Sequence, residues 1–274
     1  MENNYFGVSA NGNAALNTTN PLQRENIRLF STSGNTIRGN VISGSGVGIS
    51  LGGVIGGVTY RADNNTIVEN RIGTRASGNT TFSDGGLPNQ EEGIRLLAGS
   101  GNRIEDNLIA FNGAATLNVA TQYHGILVSS ANASNNDIIG NRLMWNGEDE
   151  FGAGVRVANA TAVTISRTET SSNRGDGIEL VNGNGSLAAP VIQAVSNGTP
   201  PVATGTACNG CTVEIFTSPV LENGEGPIFL ASGTATGGNF SIPIPGCRQY
   251  LTATATNAAG NTSPFSATFN ASAV

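Results

Sequence analysis

Apolar and polar residues alternate over most of the chain in runs of only four or five, and each run stops at Gly, Asn or Ser. Period two marks extended strands with one buried face, and strands this short cannot stand alone, so each needs an equivalent strand to pair with. The runs recur. The pattern N-x-I-x-x-N-x-I occupies Asn35, Ile37, Asn40 and Ile42, then Asn65, Ile67, Asn70 and Ile72, then Asn102, Ile104, Asn107 and Ile109, and finally Asn136, Ile138, Asn141 and Leu143. A second pattern, Gly-[Ile/Val]-x-[Leu/Val], alternates with it at Gly48, Gly93, Gly125, Gly154 and Gly177, with a degenerate copy at Asn26. Each coil therefore carries three short strands, and the pattern enters in mid-repeat.

Stacking is the arrangement that satisfies such a chain. Coils about 4.8 Å apart bury the Ile, Val and Leu columns inside and send the intervening residues outward. The asparagines at 40, 70, 107 and 141 fall where the coil turns. Short amides there tolerate the left-handed conformation, satisfy backbone groups that a sharp corner leaves unpaired, and in register can hydrogen-bond from coil to coil. Gly-, Asn- and Ser-rich stretches between copies read as loop insertions.

The pattern changes after Leu187. The stretch from 188 to 274 holds most of the prolines, all three cysteines and strand-like runs at 191–195, 212–217, 228–232, 239–243, 250–257 and 266–270. Strands at intervals near ten residues with turn signals between them predict an antiparallel sandwich. Two domains follow: a repeat domain over 1–187 and a sandwich over 188–274. A sandwich also suits the open end of a stack, where backbone and apolar core need covering.

Copies of the form "GNTIRGNVI…GIRL" resemble the right-handed parallel β-helix of the pectin-lyase-like superfamily, and in particular secreted bacterial β-helix repeat proteins. The ending "TATATNAAGNTSPFS" resembles bacterial immunoglobulin-like modules. The resemblance implies an all-β fold, a right-handed parallel β-helix of about six coils followed by an immunoglobulin-like sandwich, and an extracellular or cell-surface location.

Composition narrows the partners. Of 274 residues only 12 % are charged, 38 are Gly, and the net charge is −6 with every basic residue an Arg. A clustered basic surface, which phosphate backbones require, is missing, so nucleic acid is not an expected partner. No apolar run reaches the length of a membrane span, so insertion is not expected, and no charged segment followed by an apolar stretch marks a signal peptide. Cys208-Asn-Gly-Cys211 lacks the surroundings of a redox or zinc motif, and a structural disulfide of Cys208 with Cys211 or Cys247 is expected.

In enzymes of the resembled superfamily, substrate lies along one parallel sheet and outward residues of successive coils act on it. On the Gly-[Ile/Val] strands, the residue before the Gly and the residue after the Ile or Val are expected to point outward. That gives Glu25 with Arg28, Val47 with Ser50, Glu92 with Arg95, His124 with Leu127, Ala153 with Arg156, and Asp176 with Glu179. His124, Glu92 and Arg95 are the catalytic candidates; Arg95, Tyr123, His124, Arg156, Asp176 and Glu179 are the ligand-binding ones. A base beside arginines that offset a uronate carboxylate suits a polysaccharide lyase or epimerase. The superfamily's aspartate clusters and its Asp-Pro-His signature are absent, and Asp176 with Glu179 lacks the facing carboxylate of a glycosidase. No cofactor is expected, although the acidic loops at 83–86 and 146–152 could hold calcium. The leading expectation is a non-catalytic structural or adhesion module of a bacterial surface or filament-forming protein. The alternative is a polysaccharide-binding or polysaccharide-cleaving protein, and end-to-end self-association is a further expectation.

Overall fold

The computed structural model describes residues 1–16, 25–81, 86–114, 122–147, 151–218 and 224–271. Three parallel sheets run the length of the repeat domain. Sheet A contains Glu25–Leu29, Val47–Leu51, Ile94–Leu96, Ile126–Ser129, Val155–Ala158 and Ile178–Val181. Sheet B contains Thr36–Arg38, Thr66–Val68, Arg103–Glu105, Asn136–Ile139 and Val163–Ser166. Sheet C contains Tyr5–Phe6, Val41–Ile42, Arg71–Ile72, Leu108–Ala110, Arg142–Met144 and Glu169–Ser171. The chain passes from A to B to C and back to A, which is a parallel β-helix.

Repeat register is strict. Ile37, Ile67, Ile104, Ile138 and Ile165 pair in successive coils and form one buried column. Ile42, Ile72, Ile109 and Leu143 form a second, and Ile49, Ile94, Ile126, Val155 and Ile178 a third. All of them join one continuous core.

Asparagines stack at all three corners. Before sheet B, the backbone N–H and Nδ2 of Asn35 donate to Oδ1 of Asn65, those of Asn65 to Asn102, and those of Asn102 to Asn136, at 2.8–3.0 Å. Between sheets B and C the same bonds run Asn40 to Asn70 to Asn107 to Asn141. A third ladder, between C and A, links Asn112 to Asn146 to Asn173. Each Nδ2 on the second ladder also donates back to a carbonyl of the preceding coil, as Asn107 does to Ile67 at 2.9 Å. The left-handed residue at these corners is not the asparagine itself, contrary to the reading from sequence. It is the residue before it: Asn64, Gly101 and Asn135 at one corner, Glu69, Asp106 and Gly140 at the next. The rung needs its N–H and side chain aligned along the stack, so the bend is taken up one residue earlier. Gly140 shows the fit, since a Cβ there would meet Oδ1 of Asp106 at 2.3 Å.

The C-terminal domain has a three-stranded antiparallel sheet, Val191–Val195, Val202–Thr206 and Asn239–Pro243, and a four-stranded one, Ile228–Thr234, Thr212–Ser218, Tyr250–Thr256 and Phe269–Asn270. The two share a core of their own. The strand at Val202–Thr206 was not anticipated, because its only large apolar residue is Val202. Cys208 and Cys211 are joined by a disulfide, and Cys247 is free and exposed.

This domain closes the β-helix. Phe216 and Phe265 enter the helix core, edge to face at 5.2 Å. Glu225 stands where a further rung would: Oε1 accepts the N–H and Nδ2 of Asn173 at 3.0 and 2.8 Å, and Oε2 accepts the N–H of Ser172 at 2.6 Å. Glu214 accepts from the Arg167 N–H and the Ser166 hydroxyl, Asn261 from the Ala162 N–H, and Thr262 from the Ile165 N–H.

Removing a rung strands donors that water cannot reach. Asn107→Ala is expected to lower unfolding stability by about 3 kcal/mol in urea titration, because Asn70 and the Ile67 carbonyl lose buried partners. Ile104→Val, one methylene from the core, is expected to cost only about 1 kcal/mol. The reverse order would show that the apolar column, not the ladder, dominates.

Candidate functional site

The residue after the Ile or Val of each sheet A strand does form one row. Arg28, Ser50, Arg95, Leu127, Arg156 and Glu179 are paired in register from coil to coil. Arg28 is exposed, Arg95, Leu127, Arg156 and Glu179 are half-buried, and Ser50 is buried. The second expected row fails. Val47, Glu92, His124 and Ala153 are all buried, and only Asp176 at the end of the row is exposed. In the third to fifth copies, at Gly93, Gly125 and Gly154, the strand begins only after the Gly, so the residue before the Gly belongs to the corner, where period-two alternation no longer applies. Gly125 has no room for a side chain, since a Cβ would meet the Gly154 carbonyl at 2.7 Å. The residue before it is turned against the neighbouring coil.

His124 is the clearest case. Its Nδ1 accepts the backbone N–H of Ala153 at 2.9 Å. Burial, with Arg156 adding to it, pushes the imidazole down to about 3. The ring is neutral at physiological pH, with its one lone pair engaged, so it is poorly equipped to take a proton from substrate.

Arg95 gathers three carboxylates. Glu91 lies 3.0 Å from its guanidinium, Glu92 at 3.5 Å and Glu25 at 3.7 Å. Glu92 is only 3 % exposed, and burial, opposed by Arg95, raises its carboxyl to about 7. Its Oε2 and the Nε of Arg95 are buried without hydrogen-bond partners. Burial also raises the phenol of half-buried Tyr123, with Glu91 and Glu92 contributing. Two coils on from Arg95, Arg156 pairs with Glu179 at 3.0 Å and with Gln122 at 2.6 Å. The expected arginines for a uronate are thus already matched by carboxylates.

Asp176 stands apart from both pairs, in a depression with Phe151, Arg174 and Glu225. Three participants escaped the sequence reading. Glu91 lies one residue outside the pattern used. Phe30 and Tyr60 stack at 4.5 Å, with Arg28 lying 4.3 Å over the Phe30 ring. Tyr60 belongs to the hairpin Gly53–Ile55 and Val58–Tyr60, an insertion that no repeat pattern predicts. Of the two loops proposed for calcium, residues 82–85 and 148–150 lie outside the described residues.

Sequence comparison adds one relationship. Residues 1–127 match the model of a family described as periplasmic copper-binding protein (NosD). No curated protein matches the chain. The NosD match covers the first three sheet A strands, the start of the fourth and the Arg95 cluster. Copper favours imidazole, thiolate and thioether donors. Within the matched span these are His124, whose Nδ1 is engaged, and Met1; all three cysteines lie beyond it, two of them in the disulfide. Among the described residues, no three His, Cys, Asp or Glu side chains are grouped to hold a metal. This donor set does not fit copper.

The two shifted groups act on stability in opposite senses. Glu92 holds its proton more tightly folded than unfolded, so its contribution is full below pH 4.5 and is lost as pH climbs to about 7. His124 resists its proton when folded, so its contribution is full above pH 6.5 and is lost as pH falls to about 3. Between 4.5 and 6.5 the two partly cancel. Glu92→Gln should therefore make stability rise with pH across that window, and His124→Gln should make it fall, as read by thermal melts at each pH. Matching profiles for both variants would contradict the assignment.

Proposed function

We propose that the protein is a non-catalytic extracytoplasmic module, a β-helical stem ended by a β-sandwich, serving a structural or adhesive role in the periplasm or at the bacterial surface. The observation that carries this reading is the hydrogen-bonded continuity of stem and sandwich, in which an amide ladder runs into Glu225 and the last coil's donors are met by Glu214, Asn261 and Thr262. We read the sandwich as the immunoglobulin-like module its sequence resembles, and the stem as a member of the pectin-lyase-like group. The NosD description supports the periplasmic location, as does a disulfide, which persists in oxidising compartments. Among the described residues, no helix is long and apolar enough to cross a membrane.

The sheet A face supports a second reading, polysaccharide binding without cleavage. The Phe30–Tyr60 stack, with Arg28 over the Phe30 ring, offers the Tyr60 face as an aromatic platform beside a row of polar groups set at the coil spacing. Arg95 and Arg156 are held by carboxylates, which weakens the electrostatic case for an acidic polymer.

Incubation with a panel of acidic and neutral polysaccharides tests both readings. The expected result is no release of reducing ends or unsaturated products, with His124→Ala indistinguishable from the unmodified chain. Turnover abolished by that substitution would overturn the non-catalytic reading. Affinity electrophoresis of Tyr60→Ala against the same panel checks the second: retardation that the substitution leaves unchanged would remove the aromatic platform.

A further inference from the structure

Asparagine is followed by glycine at Asn11, Asn112, Asn146, Asn182, Asn184, Asn197 and Asn209 among the described residues. Such a pair carries its own reaction. With no side chain on the glycine to block the approach, its nitrogen attacks the asparagine Cγ; a C–N bond closes a succinimide ring, and the Cγ–Nδ2 bond breaks to release ammonia. Water then opens the ring at either carbonyl and leaves aspartate or isoaspartate. In a folded chain the attack is stopped where the glycine N–H is held by an acceptor or the amide side chain is held away from it.

The fold stops it at all but one of these pairs. Gly12 donates its N–H to the Ser9 carbonyl, Gly113 to Asn89, Gly147 to Asn112 and Gly210 to Ala235, at 2.7–3.0 Å. The side chains of Asn112 and Asn146 are ladder rungs, and that of Asn184 is buried and bonded to both the N–H and the carbonyl of Val163. Asn11 accepts from Ser9 and Asn13, and Asn209 from Gly237. Asn182 is exposed, but Gly183 is buried and packed so closely that a Cβ would meet the Val157 carbonyl oxygen at 2.3 Å, which fixes the peptide that would have to turn. Asn197 is the exception. It lies in the turn between Val191–Val195 and Val202–Thr206, and both it and Gly198 are exposed. Ser196 closes the base of the turn: its N–H donates to the Val202 carbonyl and its hydroxyl accepts the Val202 N–H. Beyond that pair, neither the Asn197 amide nor the Gly198 N–H has a hydrogen-bond partner among the described residues.

We propose that Asn197 is a self-modifying site, deamidated through its own succinimide by the Gly198 nitrogen and water. The product places a carboxylate in a stretch that has no other charge between Glu179 and Glu214. In the isoaspartyl form it also adds a methylene to the backbone of the turn. This goes beyond the structural role proposed above and does not depend on the sheet A face.

The test holds the whole chain at mildly alkaline pH and follows each Asn-Gly peptide by mass spectrometry for replacement of NH2 by OH, with isoaspartate separated from aspartate by elution. Conversion at Asn197 should run about tenfold or more ahead of Asn182 and Asn209, because a locked site reacts only through local opening. With the disulfide reduced and the chain unfolded in guanidinium chloride, that spread should collapse, since the pairs then differ only in neighbouring sequence. Asn197→Gln, whose ring would be larger and slower to close, should remove the more acidic form that ion exchange separates, with the melting temperature unchanged. Conversion at Asn182 or Asn209 as fast as at Asn197 in the folded chain overturns the proposal. So does a spread that survives unfolding, or an acidic form that persists in Asn197→Gln.

Discussion

The bond on which the molecule depends is the one from an asparagine N–H and Nδ2 to the Oδ1 of the asparagine one coil on. A parallel β-helix has three sharp corners in every turn, and at each the backbone leaves the sheet and would bury unpaired groups. An amide side chain solves this because it both donates and accepts, so one residue type repeated in register satisfies its neighbours on both sides. Three such ladders, one per corner, fix coil spacing and register together. The aliphatic columns then fill an interior whose geometry the corners have already set.

The same bond explains why the C-terminal domain has buried carboxylates. Glu214 and Glu225 are 5 % and 4 % exposed, a costly setting for charge. A stack that ends in N–H groups needs acceptors, and a carboxylate offers two oxygens and no competing donor. Glu225 uses both on consecutive residues, Ser172 and Asn173. Burial raises the Glu214 carboxyl, opposed by its bonds to Ser166 and Arg167. These glutamates are the polar counterpart of Phe216 and Phe265, which close the apolar interior beside them.

Two of the three ladders could be read from the chain, because their asparagines sit at fixed distances from Ile37, Ile67, Ile104 and Ile138. The third could not, although a signal was there: Asn112, Asn146 and Asn173 each follow the paired sheet C residue, Ile109, Leu143 or Thr170, by three. In the second coil an insertion moves the equivalent amide to Asn89, which donates to Asn112 at 2.8 Å and breaks the spacing. The outward row was legible where residues lie inside a strand, as Arg95 and Arg156 do. Glu92 and His124 lie two residues before their strands begin, and a rule of alternation has no force at a corner. The aromatic stack could not be foreseen, since its second member is on an inserted hairpin.

The position of Glu92 bears on what the sheet A face can be. A catalytic carboxyl and a structural one both show a raised value, so the shift alone does not separate them. Access does. Glu92 is sealed, its free oxygen touches no solvent, and the arginine beside it is shared with two further carboxylates at the surface. A sugar hydroxyl on the outside of the coil would meet Glu91 and Arg95 first, and those two already neutralise each other. The proton that Glu92 holds near neutrality offsets crowding among three acids around one base, as burial demands. It is not poised for transfer to anything outside the coil.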